Sequence, residues 1–476
     1  MGTTTDLRLL LEREPHEQAR LGPVVYRFPC TPAQQALWFL DRLEPGNPAW
    51  NIAVRFRITG ALERSLLERA INGVVERHEI LRTTFAAAEG EPWQEVHDGA
   101  FVPLPLDDLS VLCPSEQGRE EEGRTIAEAR TPFELRRGPL LRARLLRLSS
   151  VEHILLFTVH HIVADGWSIG VFSEEISMLY ADFFGGQPSS LAPLRLQYAD
   201  YAVWLRELGD EPALEKHRDF WREKLKALPR CEVPPDFPRP GSRTHRSYIL
   251  SELLPEALTN ELGRVAAAND CTMNAACLAA LKLLLSRYTG QSDICVGSLV
   301  AGRDRVELEP LIGLFINTVV LRTDLSGDPT FSELMSRVNE TLQEALLHQD
   351  LHFQSVVETL RPERDPSRPV LYSVNFIYQR DFVMPREFAG LSMTPLPSKS
   401  PGAIYDLNFF MVRRSDGWRL SCEYNIDLYA PETVARLLAE LRSLFRQIAA
   451  DPDQRISCIS LAGAMAQPVP QFVPRR

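Results

Sequence analysis

Two spacings of apolar residues take turns along this chain, and that alternation limits what it can fold into. Between Ala49 and Thr59, Ile52, Val54, Phe56 and Ile58 recur at every second position, the period of a half-buried strand. Between Ala61 and Leu81, Leu62, Leu66, Leu67, Ala70, Ile71, Val74 and Val75 recur at helical spacing. Strands are expected again at Leu140–Leu146 and His153–Val163, a helix at Gly170–Phe184, and a long helical stretch at Ala199–Ala227. The proline-dense run Leu228–Gly241 reads as a stiff connector. After it the alternation restarts. Strands are expected at Tyr248–Leu254, Ile294–Val300, Val319–Thr323, Val370–Tyr378 and Trp418–Tyr424, and helices at Asn274–Tyr288 and Pro431–Ile448. The pattern predicts an α/β protein whose mixed sheets are covered by helices. An N-terminal lobe would span 1–195, an interlobe helix and connector 196–242, a C-terminal lobe 243–463 and a proline-rich tail 464–476. The isolated helical patch Leu7–Leu11 reads as part of a polar terminus.

Composition excludes several function classes. The chain has 476 residues, 45% of them hydrophobic and 24% charged, enough apolar side chain for a large core. Its net charge of −11 offers no basic surplus for nucleic acid. No apolar run reaches the ~18 residues of a membrane helix. The N-terminus lacks the basic and apolar regions of a signal peptide. The eight cysteines form no CxxC pair, which suits buried thiols in a cytoplasmic protein.

The densest polar cluster in apolar surroundings is His160-His161-Ile162-Val163-Ala164-Asp165-Gly166-Trp167-Ser168, at the end of a strand that is apolar on both faces. Adjacent strand residues point to opposite faces, so one histidine can enter a cleft while the other is held in the core. Ligand sites of α/β folds often lie at such strand ends. Several readings stay open on the residues alone. Both histidines could be satisfied core residues beside an Asp-Gly turn. A two-histidine, one-carboxylate metal site is disfavoured because the two rings diverge. His161 could transfer a proton or position a polar group, with Asp165 fixing the loop. Gly166-Trp167-Ser168-Ile169-Gly170 also matches the G-x-S-x-G nucleophile elbow, which makes a serine hydrolase using Ser168 a rival. Its acid and base would have to come from residues such as Asp350 and His352, on an expected helix.

The cluster resembles the HHxxxDG signature of nonribosomal peptide synthetase condensation domains, in the chloramphenicol acetyltransferase-like superfamily. Companion motifs follow in the family's order over about residues 28–462. Thr31-Pro-Ala-Gln-Gln-Ala-Leu-Trp-Phe-Leu40 is similar to S-x-A-Q-x-R-L-W-x-L, with Thr31 for Ser and Ala36 for Arg. Arg77-His-Glu-Ile-Leu-Arg-Thr-Thr-Phe85 matches R-H-E-x-L-R-T-x-F, and Tyr198-Ala-Asp-Tyr-Ala-Val-Trp204 matches Y-x-D-Y-A-x-W. Ile312-Gly-Leu-Phe-Ile-Asn-Thr318 matches I-G-x-F-x-N-T. His348-Gln-Asp-Leu-His-Phe353 and Arg364-Asp-Pro-Ser-Arg368 resemble H-Q-D-x-P-F and R-D-x-S-R. Arg77, His78 and Arg82, ending a helix where cations suit its dipole, read as scaffold; Gly313 and Asn317 read as packing residues.

The resemblance implies a fold and a chemistry. Two chloramphenicol acetyltransferase-like lobes would form a V-shaped pseudo-dimer with a tunnel between them. An acceptor α-amine would attack a donor thioester, each substrate carried on phosphopantetheine by a carrier protein or, for the donor, by CoA, with no covalent enzyme intermediate. His161 would be the base or positioner, the Gly166 N–H would help place the thioester carbonyl, and His160, Asp165 and Arg303 would be structural, Arg303 pairing with Asp165. The implied partners are donor and acceptor carrier proteins and an adjoining adenylation domain, around a monomeric enzyme that binds no cofactor or metal itself.

Subtype stays open between an elongating domain for L-configured donors and a starter domain. Trp38-Phe-Leu-Asp-Arg-Leu-Glu-Pro45 resembles domains that take L-configured or achiral donors. Ser398–Asn408, and a chain that begins 30 residues before the first motif, suit a starter. A non-catalytic recruiting domain of the same fold is a further alternative; such domains commonly lose the signature histidine.

Overall fold

The computed structural model describes residues 19–88, 90–208, 214–380, 382–414 and 416–461. The expected patch at Leu7–Leu11 and the tail 464–476 lie outside them. The chain forms two compact units: Met1–Glu211 with Ala301–Ile316 and Phe382–Gly402, and Pro212–Val300 with Asn317–Asp381 and Ala403–Arg476. Boundaries drawn at 195 and 243 assume that the chain passes once from lobe to lobe. Instead, two later segments return to the first unit.

The first unit is built on a six-stranded mixed sheet. Its order is Arg386–Phe388, Leu391–Leu396, Asn51–Thr59, Glu152–His160, Leu141–Ser149 and Leu106–Asp108, with only the last pairing parallel. Glu152–His160 is central, and every residue after Glu152 is buried. Leu155, Phe157 and Val159 enter the main core, while Ile154 and Leu156 pack with Leu109 and Leu146 on the other face. This two-sided burial explains the unbroken apolar run. Helices Arg64–Arg77 and Gly166–Phe184 cover the main core, and Phe172 of the second stacks on Phe157 with ring centroids 3.9 Å apart. A three-stranded sheet of Val24–Pro29, Glu91–His97 and Thr83–Ala88 and a two-stranded pair of Arg20–Leu21 with Ala100–Phe101 also belong to the unit.

The second unit has its own six-stranded mixed sheet, ordered Ser247–Leu253, Gly417–Asn425, Leu407–Arg414, Val374–Arg380, Asp293–Val300 and Asn317–Asp324. Val374–Arg380 pairs parallel with both neighbours. Helices Met273–Thr289, Phe331–Leu347 and Pro431–Ala450 contribute to its core. Asn317 holds the motif Ile312–Thr318 to the next one: its Nδ2 donates to the carbonyls of Gln349 (2.8 Å) and Leu351 (3.1 Å), and its Oδ1 accepts from Phe353 N–H.

Several expectations need correction. Within Ala199–Ala227 the described residues form two helices, Tyr198–Leu208 and Glu215–Lys224; residues 209–213 lie outside the described residues. Asp350 and His352 are on no helix; they lie between Phe331–Leu347 and Phe353–Leu360, where His352 is the N-cap. Helix Pro114–Arg130 escaped the periodicity because Thr125 and Ala129 are its only buried residues. Among the described residues, no helix is long and apolar enough to cross a membrane.

Lys282 lies fully buried in the helix Met273–Thr289. Its Nζ donates to the Leu321 carbonyl (2.8 Å) and Thr323 Oγ1 (2.7 Å), both neutral. Burial pushes its pKa down to about 7, against about 10.4 in an unfolded chain. Between those values the unfolded state binds more protons, so this group makes stability rise with pH across that window. In Lys282→Met that contribution should vanish. The difference in unfolding midpoint between the wild type and Lys282→Met should therefore move in the wild type's favour from pH 7 to pH 10. A difference independent of pH would contradict the assignment.

Candidate active site

The polar cluster begins where the central strand of the first unit ends. His160 pairs with Asn51 across the ladder and faces inward. Its Nδ1 accepts the N–H of Ile162 (3.1 Å), and its ring stands edge-on to Phe133, 6.2 Å between centroids. Burial pushes its pKa down to about 3, so the ring is neutral.

His161 leaves the strand. Its N–H donates to the Trp50 carbonyl (2.7 Å), and it opens the turn His161–Val163 with its side chain partly exposed. Nδ1 is enclosed and has no hydrogen-bond partner. Burial lowers the pKa of this histidine below its ordinary range, partly offset by the Asp165 carboxylate and the carbonyls of His161 and Ala164. The result is a neutral imidazole at neutral pH.

Asp165 and Arg303 meet below this turn. Asp165 is fully buried and caps the helix Gly166–Phe184. Its carboxylate accepts from Ser168 N–H (2.9 Å), Phe315 N–H (3.0 Å) and Arg303 Nη2 (3.2 and 3.4 Å to the two oxygens). Arg303 is equally enclosed, with Nη1 donating to the carbonyls of Leu308 and Leu311 and its guanidinium 4.0 Å from the Phe315 ring centroid. Every atom of this constellation belongs to the first unit, because Ala301–Ile316 returns to it.

Ser168 has a structural explanation. It is the third residue of the helix, in a reciprocal capping box with Asp165. Its hydroxyl accepts from Gly313 N–H (3.1 Å) and lies 2.7 Å from Asp165 Oδ1 and 2.9 Å from the Gly313 carbonyl. It is 1% exposed, and no histidine is among its partners. The second glycine of the elbow pattern is there for packing: a Cβ on Gly170 would come within 2.5 Å of the Phe382 carbonyl. The nucleophile-elbow reading therefore fails. A fluorophosphonate probe should leave Ser168 unlabelled in the folded protein, and stoichiometric labelling would contradict this geometry.

Gly166 opens the helix, is exposed, and presents the first amide of an N-terminus, where partial positive charge collects. A Cβ there would meet the Phe382 ring at 3.8 Å, an ordinary contact. Trp167 is pinned by a bond from Nε1 to the Glu309 carbonyl (2.9 Å) and by the Phe382 ring, 5.3 Å away.

The scaffold motifs have clear partners. Glu175 receives Arg77 Nε (2.8 Å) and lies 2.9 Å from His78 Nε2, tying two helices together. The sequence carried a signal for it, a carboxylate on the same face as Phe172, Ile176 and Leu179. Arg82 lies in the short 3-10 turn Glu79–Arg82 beyond that helix and donates to the His97 carbonyl. Gly313 admits the Tyr198 ring, which a Cβ would meet at 2.0 Å, and the Tyr198 hydroxyl donates to the Leu314 carbonyl (2.7 Å). Among the described residues, no three histidines, cysteines or carboxylates are grouped as a metal site would require.

A family model described as Condensation domain matches residues 26–467. The chain belongs to the condensation domain family. This condensation domain is 39% identical over 446 residues to chondramide synthase cmdD of Chondromyces crocatus, covering 94% of the chain and 11% of that protein. It is 36% identical over 446 residues to the phosphinothricin tripeptide synthetase PhsC of Streptomyces viridochromogenes, covering 92% and 40%. The chain thus spans less than half the length of these relatives. Among solved structures, the X-domain from teicoplanin biosynthesis is 30% identical with a TM-score of 0.81, covering 93% of this chain and 99% of that one. The first condensation domain of the calcium-dependent antibiotic synthetase shares the fold, with a TM-score of 0.79 at 22% identity, covering 93% of this chain and 100% of that one. The two mixed α/β lobes of this condensation domain are of the chloramphenicol acetyltransferase-like kind expected from its motifs.

Proposed function

We propose that this condensation domain joins a donor acyl or peptidyl thioester to the α-amine of an aminoacyl acceptor, as one step of nonribosomal peptide synthesis. The observation that carries the reading is the contrast between the two histidines: the ring of His160 is locked by the Ile162 N–H, whereas His161 is neutral and partly exposed and its Nδ1 has no hydrogen-bond partner. Its enclosed Nδ1 leaves Nε2 for an incoming group.

The free amine has a pKa of about 7.7–8.0, so roughly a tenth is already neutral at pH 7. Prior deprotonation would save only about 1–1.5 kcal/mol. The larger needs are orientation and removal of the proton once the C–N bond has formed. In the proposed step the amine attacks the thioester carbon and His161 takes the proton from the resulting ammonium. The C–S bond then breaks, and the proton passes to the departing thiolate. The Gly166 N–H, at a helix N-terminus, suits the developing oxyanion. Asp165 and Arg303 hold that terminus and the turn in place. Both substrates would arrive on phosphopantetheine arms of carrier proteins, with an adenylation domain as neighbour.

The similarity to the teicoplanin X-domain, which is also known in a complex with OxyB, keeps a recruiting role as the second reading; the retained His161 favours catalysis. Incubation with a panel of acyl-CoA, acyl-carrier and peptidyl-carrier donors and with carrier-bound aminoacyl acceptors, read by intact-protein mass spectrometry, tests both. An acceptor carrier heavier by the donor acyl group is expected. Transfer from acyl donors alone would identify a starter domain. No transfer from any donor would contradict catalysis.

A further inference from the structure

The turn that carries His161 is gripped from three sides, and one grip comes from a residue far away in sequence. His161 N–H is held by the Trp50 carbonyl, and Ile162 N–H by the ring of His160. The Ile162 carbonyl accepts Nε2 of Gln34 at 3.2 Å. Gln34 is fully buried in the helix Pro32–Leu43, and its amide orientation is forced. The Pro29 carbonyl can only accept, so Gln94 turns its Nε2 there (2.8 Å) and its Oε1 toward Gln34 (3.2 Å). Thr31 N–H fills Gln34 Oε1 at 3.0 Å, completing a capping box with the Thr31 side chain. Both amide protons of Gln34 are thereby used, one on Gln94 and one on the turn beside His161.

A helix start of this kind needs only the Thr31 half of that arrangement. A side chain that also spends a buried donor on the peptide next to the proposed base fixes the position of that base. We propose that Gln34, oriented by Gln94, is a positioning residue that sets where the His161 ring stands. The inference rests on the reading of His161 above. Gln34→Met keeps length and apolar volume but removes the donor. The turn would keep two of its three holds, and small misplacements of a reacting group are costly.

The test is single-turnover amide formation together with nitrogen NMR of the His161 ring. Gln34→Met should lower kcat about tenfold to a hundredfold, leave the acceptor KM within about twofold, and broaden or split the His161 ring signals. Gln94→Met, which releases the orientation of Gln34, should show the same pattern more weakly; it carries the test if Gln34→Met does not fold. A merely structural role would lower the thermal midpoint and leave kcat per folded molecule and the ring signals at wild-type values, and either retained value overturns the proposal. His161→Ala, assayed alongside, separates the two claims. If it keeps full turnover, the reading of His161 fails; if it is inactive while Gln34→Met is not impaired, only the positioning role fails.

Discussion

Arg303→Met is expected to destabilise the first unit by about 3–5 kcal/mol, the cost of breaking a buried ion pair from one side. Asp165 is 0% and Arg303 1% exposed at the side chain. Without the guanidinium, the carboxylate keeps its bonds from Ser168 and Phe315 but has no countercharge in a site that water does not reach. Arg303→Lys should not rescue it, because one ammonium cannot serve Asp165 and the carbonyls of Leu308 and Leu311 together. The double variant Asp165→Leu/Arg303→Met should fall short of the sum of the two single losses, since no lone charge stays buried. It should not recover fully, because Asp165 also caps the helix Gly166–Phe184. Urea unfolding checks this; an Arg303→Met midpoint equal to the wild type would show that the pair does not hold the site together.

His161→Ala should lower the single-turnover rate of amide formation by about 10² to 10⁴, the usual contribution of a positioned acid–base group. The magnitude decides between roles. A ring that only filled space would affect binding of both substrates and leave the bound reaction fast. A proton acceptor acts on the intermediate, so kcat falls while affinity for the donor thioester is kept. The fold should survive, because Nδ1 has no partner to lose. His160→Ala is a different case. It removes the acceptor for the Ile162 N–H and a core contact with Phe133, so its loss should appear in stability as well as in rate.

Much of this was legible from spacing and motif. The central strand announced itself because both of its faces are buried, whereas the helix expected from Gly170 starts at Gly166, capped by Asp165. The sequence period put both histidines on one strand, whereas the strand ends at His160 and His161 opens the following turn. Other features had no local signal. Gln94 is an ordinary polar letter, and Gln34 one position of a quoted motif, until the fold brings their amides together at 3.2 Å and points Gln34 at the Ile162 carbonyl. The return of Ala301–Ile316 and Phe382–Gly402 to the first unit depends on pairings as remote as Leu391–Leu396 with Asn51–Thr59, which no periodicity encodes. The G-x-S-x-G pattern misled for a physical reason: a helix-capping serine and a glycine forced by close packing produce the same letters as an elbow.

The pH dependence of the single-turnover rate, in the wild type and in His161→Ala, addresses the central claim most directly. Burial holds the His161 pKa below the ordinary histidine range, so the neutral, proton-accepting form persists through neutral pH. The neutral fraction of the acceptor amine rises with pH up to about 7.7–8.0, so both proteins should gain rate through neutral pH, and the wild type should fall more steeply on the acid side of the histidine range, as the ring takes up a proton. His161→Ala should be slow at every pH and follow the amine alone, without that steeper limb. A steeper acid limb of the same midpoint in His161→Ala, or a rate near that of the wild type, would show that another group receives the proton.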